Sequence, residues 1–250
     1  MTDGRRSSRH SWVVLCDFDG TISRLDGTDA LLQAFALPGW EPLEARWQAG
    51  DLTALDCMRG QIALLAVSAQ ELVRFASELP LDETLPEFVA ACAGRGFPVV
   101  VASDGLDQLI LPALVRLGLS ELPVSSGVLH RVAGDRYELT APAASARCMA
   151  GSVTCKCAIA NRLSEQPSGP RRKVLVIGDG RSDFCAATNV ADFVFARGSL
   201  LEHCRQSAIA CLAFESFSEA ARLLVQLNDL DAASNKPPSP QRIQEPWLQT

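Results

Sequence analysis

Four short apolar runs, rich in valine and each cut off by a glycine or a polar residue, constrain the fold most: Trp12 to Cys16, Pro98 to Ala102, Val174 to Ile177 and Phe193 to Ala196. A strand with one wet face alternates apolar and polar residues. A run with no polar position belongs to a strand covered on both faces, which is the habit of parallel sheets. Helical periodicity fills the gaps, with Leu55, Met58, Ile62 and Leu65 on one face and Leu72, Phe75, Ala76 and Leu79 on the next. Ser68 with Glu71, Ser199 with Glu202 and Ser216 with Glu219 have the capping-box spacing that starts a helix. A helix from about Leu106 should bend at Pro112 and end at Gly118, and Val124 to Thr140, with Gly134-Asp135 near its middle, reads as a hairpin. Strands alternating with helices give an α/β fold, a Rossmann-like doubly wound parallel sheet, whose ligands bind at the carboxyl ends of the strands.

About eighty mostly helical residues separate the first run from the second, several times what one crossover helix needs. The expected organisation is therefore an α/β core from 12–23 and 84–228, with a helical insertion, 24–83, lying over the site as a lid. Segments 1–11 and 229–250 read as flexible tails, the second carrying Pro237, Pro238, Pro240 and Pro246 among polar residues. A hydrophobic content of 48% excludes disorder as the main state. With 23 basic against 29 acidic side chains the formal charge is −6, so neither nucleic acid nor an anionic membrane is an expected partner. The apolar run after Arg5, Arg6 and Arg9 is too short for a secretory signal, and nothing resembles a membrane span. Nine cysteines, an odd number in a chain this long, read as reduced thiols and a cytoplasmic setting.

The strand ends carry the chemistry. The first run enters Asp17-Phe18-Asp19-Gly20-Thr21, placing two carboxylates at i and i+2 on one side of a carboxyl end. A lone Asp-Gly pair is usually only a turn. Here the third run repeats the theme, with Val174 to Ile177 leading into Gly178-Asp179-Gly180-Arg181-Ser182-Asp183. The second run ends in Ser103-Asp104-Gly105, a hydroxyl and backbone amides that suit an anion. Hard oxygen ligands from Asp17 and Asp179, with no histidine nearby, fit Mg²⁺ rather than zinc, and Mg²⁺ is commonly shared with a substrate phosphate. Such an acidic pocket needs a further cation to admit phosphate, and Lys156 is the candidate, although most lysines are only solvated surface groups.

Taken together these residues resemble the haloacid dehalogenase-like phosphohydrolases over about Trp12 to Leu224: the Asp-x-Asp-Gly-Thr of Asp17 to Thr21, Ser103, Lys156, and the Gly-Asp-Gly-x-Ser-Asp of Gly178 to Asp183. The helical insertion resembles the C1 cap of the phosphoserine phosphatase-like branch. The resemblance implies that Asp17 is a nucleophile forming an aspartyl-phosphate, and that Asp19 protonates the leaving oxygen and later activates water. It implies Mg²⁺ on Asp17, the Asp19 carbonyl and Asp179, with Asp183 supporting the metal shell. Ser103, Asp104, Gly105 and Lys156 would hold the phosphoryl group, Gly105 and Thr21 being lesser candidates.

Within the branch, Ser103 to Asp107 and Cys148 to Cys157 look most like the MtnX-like subgroup of methionine salvage, which acts on a methylthio-substituted enol phosphate. In the cap, Asp26 matches the acidic residue with which phosphoserine phosphatases grip their amino acid, but Gln61 falls where their arginine would be. The expected substrate is thus a small phosphorylated metabolite other than free phosphoserine; a phosphoserine or sugar phosphatase is the alternative within the class, and a non-catalytic phospholigand-binding protein the alternative outside it. Rival motifs fare worse. Asp183 stands where a dinucleotide fingerprint needs its third glycine, and Ala210 replaces the arginine a cysteine-phosphatase loop after Cys204 requires. Cys148, Cys155 and Cys157 are a poor zinc pattern and read as inert thiols, with a redox pair left open.

Overall fold

The computed structural model describes residues 11–166 and 170–234. Seven strands form one sheet: β1 (Trp12–Cys16), β2 (Val99–Leu106), β3 (Val124–Ala133), β4 (Arg136–Thr140), β5 (Lys173–Gly178), β6 (Phe193–Ala196) and β7 (Cys211–Ala213), in the order β4-β3-β2-β1-β5-β6-β7. Every neighbouring pair is parallel except the β3–β4 hairpin. Without that antiparallel edge the order is the 3-2-1-4-5-6 of a doubly wound sheet, which reverses between β1 and β5 and opens a crevice at their carboxyl ends.

Ten helices accompany this sheet among the described residues: α1 (Gly27–Phe35), α2 (Glu41–Ala49), α3 (Ala54–Ala63), α4 (Ala69–Glu78), α5 (Leu85–Ala93), α6 (Asp107–Arg116), α7 (Lys156–Ser164), α8 (Phe184–Asn189), α9 (Gly198–Gln206) and α10 (Phe217–Ser234). Alternation along β1 explains why its run has no polar position. Trp12, Val14 and Cys16 enter a core completed by Phe88 of α5, Ile110 of α6 and Phe217 of α10. Val13 and Leu15 enter a second core with Ile159 of α7, Ala186 of α8 and Leu200 of α9. Each fully buried large apolar side chain contributes about 1.5–3 kcal/mol, so both faces are strongly held.

A third core holds the helical insertion. Ile62, Leu65, Leu72, Ala76 and Leu79, from the two periodic faces of the sequence, pack with Leu109 of α6 and with Leu129, Tyr137 and Leu139 of the hairpin. The chain entering and leaving the insertion is laced together by the Ser23–Leu81 bridge. Arg24 pairs with buried Asp82 at 3.1 Å beside it.

Local signals fared unevenly. Ser68 and Glu71 form the full capping box of α4. Gly118, at φ +69, closes α6 in a Schellman motif, its N–H donating to Val115 O and that of Leu119 to Leu114 O. Pro112 sits inside α6 without ending it. The expected box at Ser199 does not form: Arg197 is the N-cap of α9, and Ser199 Oγ donates to Asp179 O instead. Ser216 Oγ accepts from Glu219 N, but Glu219 reaches back to Glu215 N. The half-buried β7 carries too little apolar pattern to be seen in the sequence, and the hairpin's membership of the main sheet is likewise not visible there. Helix α10 runs to Ser234, beyond the point read as the start of a tail. The remaining tail residues, 1–10 and 235–250, lie outside the described residues. No described helix is long and apolar enough to cross a membrane.

Candidate active site

Strand β1 delivers Asp17 to the crevice, where it is 5% exposed. Its Oδ1 accepts the Phe18 N–H at 2.7 Å, and its Oδ2 accepts the Ser182 hydroxyl at 3.2 Å and Lys156 Nζ at 2.8 Å. Lys156, the first residue of α7 and 4% exposed, also donates to Asp183 Oδ1 at 2.6 Å and to Ser182 Oγ at 3.1 Å. Burial acts to strip Lys156 of its proton, but Asp17, Asp183 and Asp104 outweigh it and hold the ammonium charged.

Asp19 projects beside them. Its Oδ1 accepts the Gly27 N–H at 2.8 Å, at the first turn of α1. Burial, reinforced by Asp26, raises its carboxyl well above the usual carboxylate range. Close packing here demands glycine. A Cβ on Gly105 would lie 2.3 Å from Asp19 Oδ2, and one on Gly20, already at φ +65, 2.2 Å from Asp179 Oδ2.

Asp179 follows β5 and accepts the Thr21 hydroxyl at 3.1 Å; burial, then Asp17, push its carboxyl up to about 6. Asp17, Asp179 and Asp183 each offer an oxygen within 4.8 Å of the others', the one cluster of metal-ligand type among the described residues. An all-carboxylate oxygen set, in which burial and then the charge of Asp17 raise the Asp179 and Asp183 carboxyls, fits a hard divalent cation. Cys148, Cys155 and Cys157 form no such cluster.

Ser103 is 1% exposed near the end of β2 and accepts the Gly105 N–H at 3.1 Å. The Asp104 carboxylate accepts Thr154 N at 2.7 Å, fastening β2 to the loop that leads into Lys156, and burial pushes it up to about 6. Only its main chain is available to an anion.

Asp17, Asp19, Ser103, Asp104, Gly105, Asp179 and Ser182 line a cavity of about 260 Å³ roofed by α1, α2 and α3, with Asp26, Thr28, Glu44, Trp47, Met58 and Gln61 on the roof side; Lys156 and Asp183 are not in the lining and act on it through Asp17 and Ser182. The Asp26 side chain caps α1 through Asp29 N, and Gln61 donates to Glu44 Oε2 at 3.2 Å. The buried Thr28 hydroxyl has no partner among the described residues. Arg181, the one cation in the lining, lies 5.1 Å over the Trp47 ring.

Three groups that the motif reading passed over belong here. Ser182 bridges Asp17 and Lys156, and it lay unremarked inside the Gly178 to Asp183 block. Arg197 donates through Nε to Gly20 O at 2.9 Å, and through Nη2 to Thr21 O, so it pins the loop that carries Asp19. It immediately follows β6, so the strand-end rule that found Asp17 points to it as well. Glu44, in polar α2, carries no sequence signal.

The family profile of the haloacid dehalogenase-like hydrolases matches residues 14–188. A 2-hydroxy-3-keto-5-methylthiopentenyl-1-phosphate phosphatase of Geobacillus thermodenitrificans is 31% identical over 86% of this chain and 96% of its own length. The one of Brevibacillus brevis is 29% identical over the same shares. Among solved structures, a probable phosphoserine phosphatase from Vibrio cholerae superposes with a TM-score of 0.67 at 19% identity, covering 90% of this chain and 67% of that one. A phospho-aspartyl intermediate analogue of phosphoserine phosphatase gives 0.61 at 17% identity, covering 87% and 99%. The structural likeness shows the fold; the sequence match, running through the three strand-end motifs and Lys156, assigns the family. The chain belongs to the haloacid dehalogenase-like hydrolases and is a phosphatase among them.

Proposed function

We propose that the chain hydrolyses a small phosphomonoester through an aspartyl-phosphate on Asp17, with Mg²⁺ as its cation, and that its substrate is the methylthiopentenyl phosphate for which its curated relatives are named. The observation that carries this reading is Asp17 itself: a buried carboxylate at a strand end, oriented by Phe18 N–H and Lys156 Nζ, with a raised carboxyl two residues on over the same cavity.

In the first step an Asp17 oxygen attacks phosphorus and the bond to the alcohol oxygen breaks. Asp19, kept protonated by burial, gives its proton to that oxygen. In the second, Asp19 takes a proton from water, which attacks phosphorus, releasing inorganic phosphate and restoring Asp17. Lys156, the Ser103 hydroxyl and the amides of Asp104 and Gly105 hold the phosphoryl oxygens, and Lys156 also keeps Asp17 in place. Asp17, Asp179 and the Asp19 carbonyl would hold Mg²⁺, with Asp183 behind them; when bound, it supplies positive charge against the phosphoryl oxygens.

The insertion, 24–83, acts as the cap, and its contribution to the cavity sets the substrate. With Gln61 in the lining where the resemblance would need an arginine, and Arg181 seated over the Trp47 ring, the roof lacks a cation for a leaving group's carboxylate, while Trp47 and Met58 accept an apolar end. This disfavours phosphoserine. Nine cysteines without a disulfide support the cytoplasmic setting.

The test is a panel of phosphorylated metabolites with Mg²⁺, the methylthiopentenyl phosphate and phosphoserine included, run beside Asp17→Asn. The wild type should turn over the enol phosphate saturably and phosphoserine poorly, and Asp17→Asn should lose at least about 10³-fold while remaining folded by circular dichroism. Wild-type rates in Asp17→Asn would refute the nucleophile; turnover of no ester would leave the phospholigand-binding alternative.

A further inference from the structure

The cysteines that the phosphatase chemistry leaves unused include one closely placed pair. Cys157, in the first turn of α7, directs its Sγ at Cys185 Sγ in the first turn of α8, 3.5 Å away. Neither is sealed in the core: both are half-buried, and Cys185 lines an open cavity beside the active site, together with Cys148, Asn189 and Arg181. Asn189 Nδ2 also donates to Cys185 Sγ at 3.4 Å, so this sulfur is held facing Cys157 from two sides.

The place of the pair in the chain matters. Cys157 directly follows Lys156, and Cys185 comes two residues after Asp183. The same two helix starts therefore carry the Lys156–Asp183 ion pair at 2.6 Å and, beside it, the two thiols at 3.5 Å.

We propose that Cys157 and Cys185 form a reversible disulfide under a two-electron oxidant of the peroxide class, and that the bond switches the phosphatase down by displacing Lys156. The effect on activity rests on the phosphatase reading; the formation of the bond does not. Cys185 sulfur attacks a peroxide oxygen, giving a sulfenic acid and one water. Cys157 then attacks that sulfur, forming S–S and releasing the second water, so two thiols and hydrogen peroxide become one disulfide and two waters. A dithiol reverses it. Cys185, and not Cys157, lines the open cavity, so it is the sulfur that meets the oxidant first, and Cys157 at 3.5 Å is in reach to resolve it. Sulfurs in a disulfide lie about 2.05 Å apart, so closing the bond draws the two helix starts or their side chains together by roughly 1.5 Å. Lys156 adjoins one of them, and displacements of about 1 Å in a positioned catalytic group cost on the order of 10²-fold.

The full-length enzyme is treated with hydrogen peroxide, its remaining thiols are blocked, and intact mass, peptide mapping and phosphatase activity are read with and without dithiothreitol. The expected result is two fewer blocking groups on the intact chain and a linked Cys157–Cys185 peptide pair about 2 Da lighter than its two free-thiol halves together. Activity should fall at least tenfold and return with dithiothreitol, Cys157→Ser and Cys185→Ser should stay active through the treatment, and Cys148→Ser should respond like the wild type. A link between other cysteines, a gain of oxygen atoms in place of the link, or a link that leaves activity unchanged would overturn the proposal. An enzyme without activity before treatment would overturn the phosphatase reading, while the mass measurement would still decide the disulfide.

Discussion

With Nζ 2.8 Å from Asp17 and 2.6 Å from Asp183, Lys156 neutralises two carboxylates that are almost wholly out of water. Removing one partner of such a group strands the others, so Lys156→Met should destabilise the fold by about 3–5 kcal/mol in urea denaturation, besides abolishing turnover. A loss below about 1 kcal/mol would show that water reaches the pair and screens it. Gly105→Ala makes the opposite kind of prediction. Its Cβ would meet Asp19 Oδ2 at 2.3 Å, so Asp19, the proposed general acid, must move while the sheet stays intact. It should therefore lower kcat by about 10²-fold with little change in melting temperature. Gly105 was legible in the sequence because it stands in a short strand-end stretch, and Lys156 because the acidic pocket needs a cation and the family resemblance pointed to that lysine. Ser182 was not singled out, since a serine hydroxyl bridging two charges looks, in sequence, like any other polar residue; Arg197 stood at a strand end, but nothing in the sequence showed that it would bind the Gly20 and Thr21 carbonyls.

Elements divide between those fixed by local signals and those fixed by partners. The capping box of α4 is local, with Ser68 Oγ accepting from Glu71 N. Ser68→Ala should cost about 1 kcal/mol of stability, read as a lower thermal midpoint, and leave kcat unchanged because α4 supplies no side chain to the cavity. Helix α9 shows the other case: Ser199 had the spacing of a cap but was drawn to Asp179 O, because β5 ends next to it in space. Strand β7 pairs with β6 through two half-buried residues and an exposed one, and owes its existence to the sheet edge it completes. Periodicity placed the faces of α3 and α4 correctly. That those faces would meet the β3–β4 hairpin as well as α6 depended on contacts far away in sequence.

Across the whole molecule, the acid excess of the sequence concentrates where β1 and β5 end together. Asp17, Asp179 and Asp183 crowd one point, and a cation binding the native state alone must stabilise it. Mg²⁺ at about 100 times its Kd should add about 2.7 kcal/mol, visible as a higher melting temperature that chelation reverses and Asp179→Asn removes. An unchanged melting temperature in saturating Mg²⁺ would count against the site. By itself the sequence determined the buried strands, the acidic groups at their ends and the presence of a long helical insertion, because burial on both faces and strand-end motifs are written in consecutive residues. Only the tertiary structure decided that β1 lies between β2 and β5, and so that Asp17 meets Lys156 and Ser182, Asp19 lies against Gly105, and Cys157 faces Cys185. Strand order comes from long-range pairing and helix packing, which short apolar runs of similar composition do not encode.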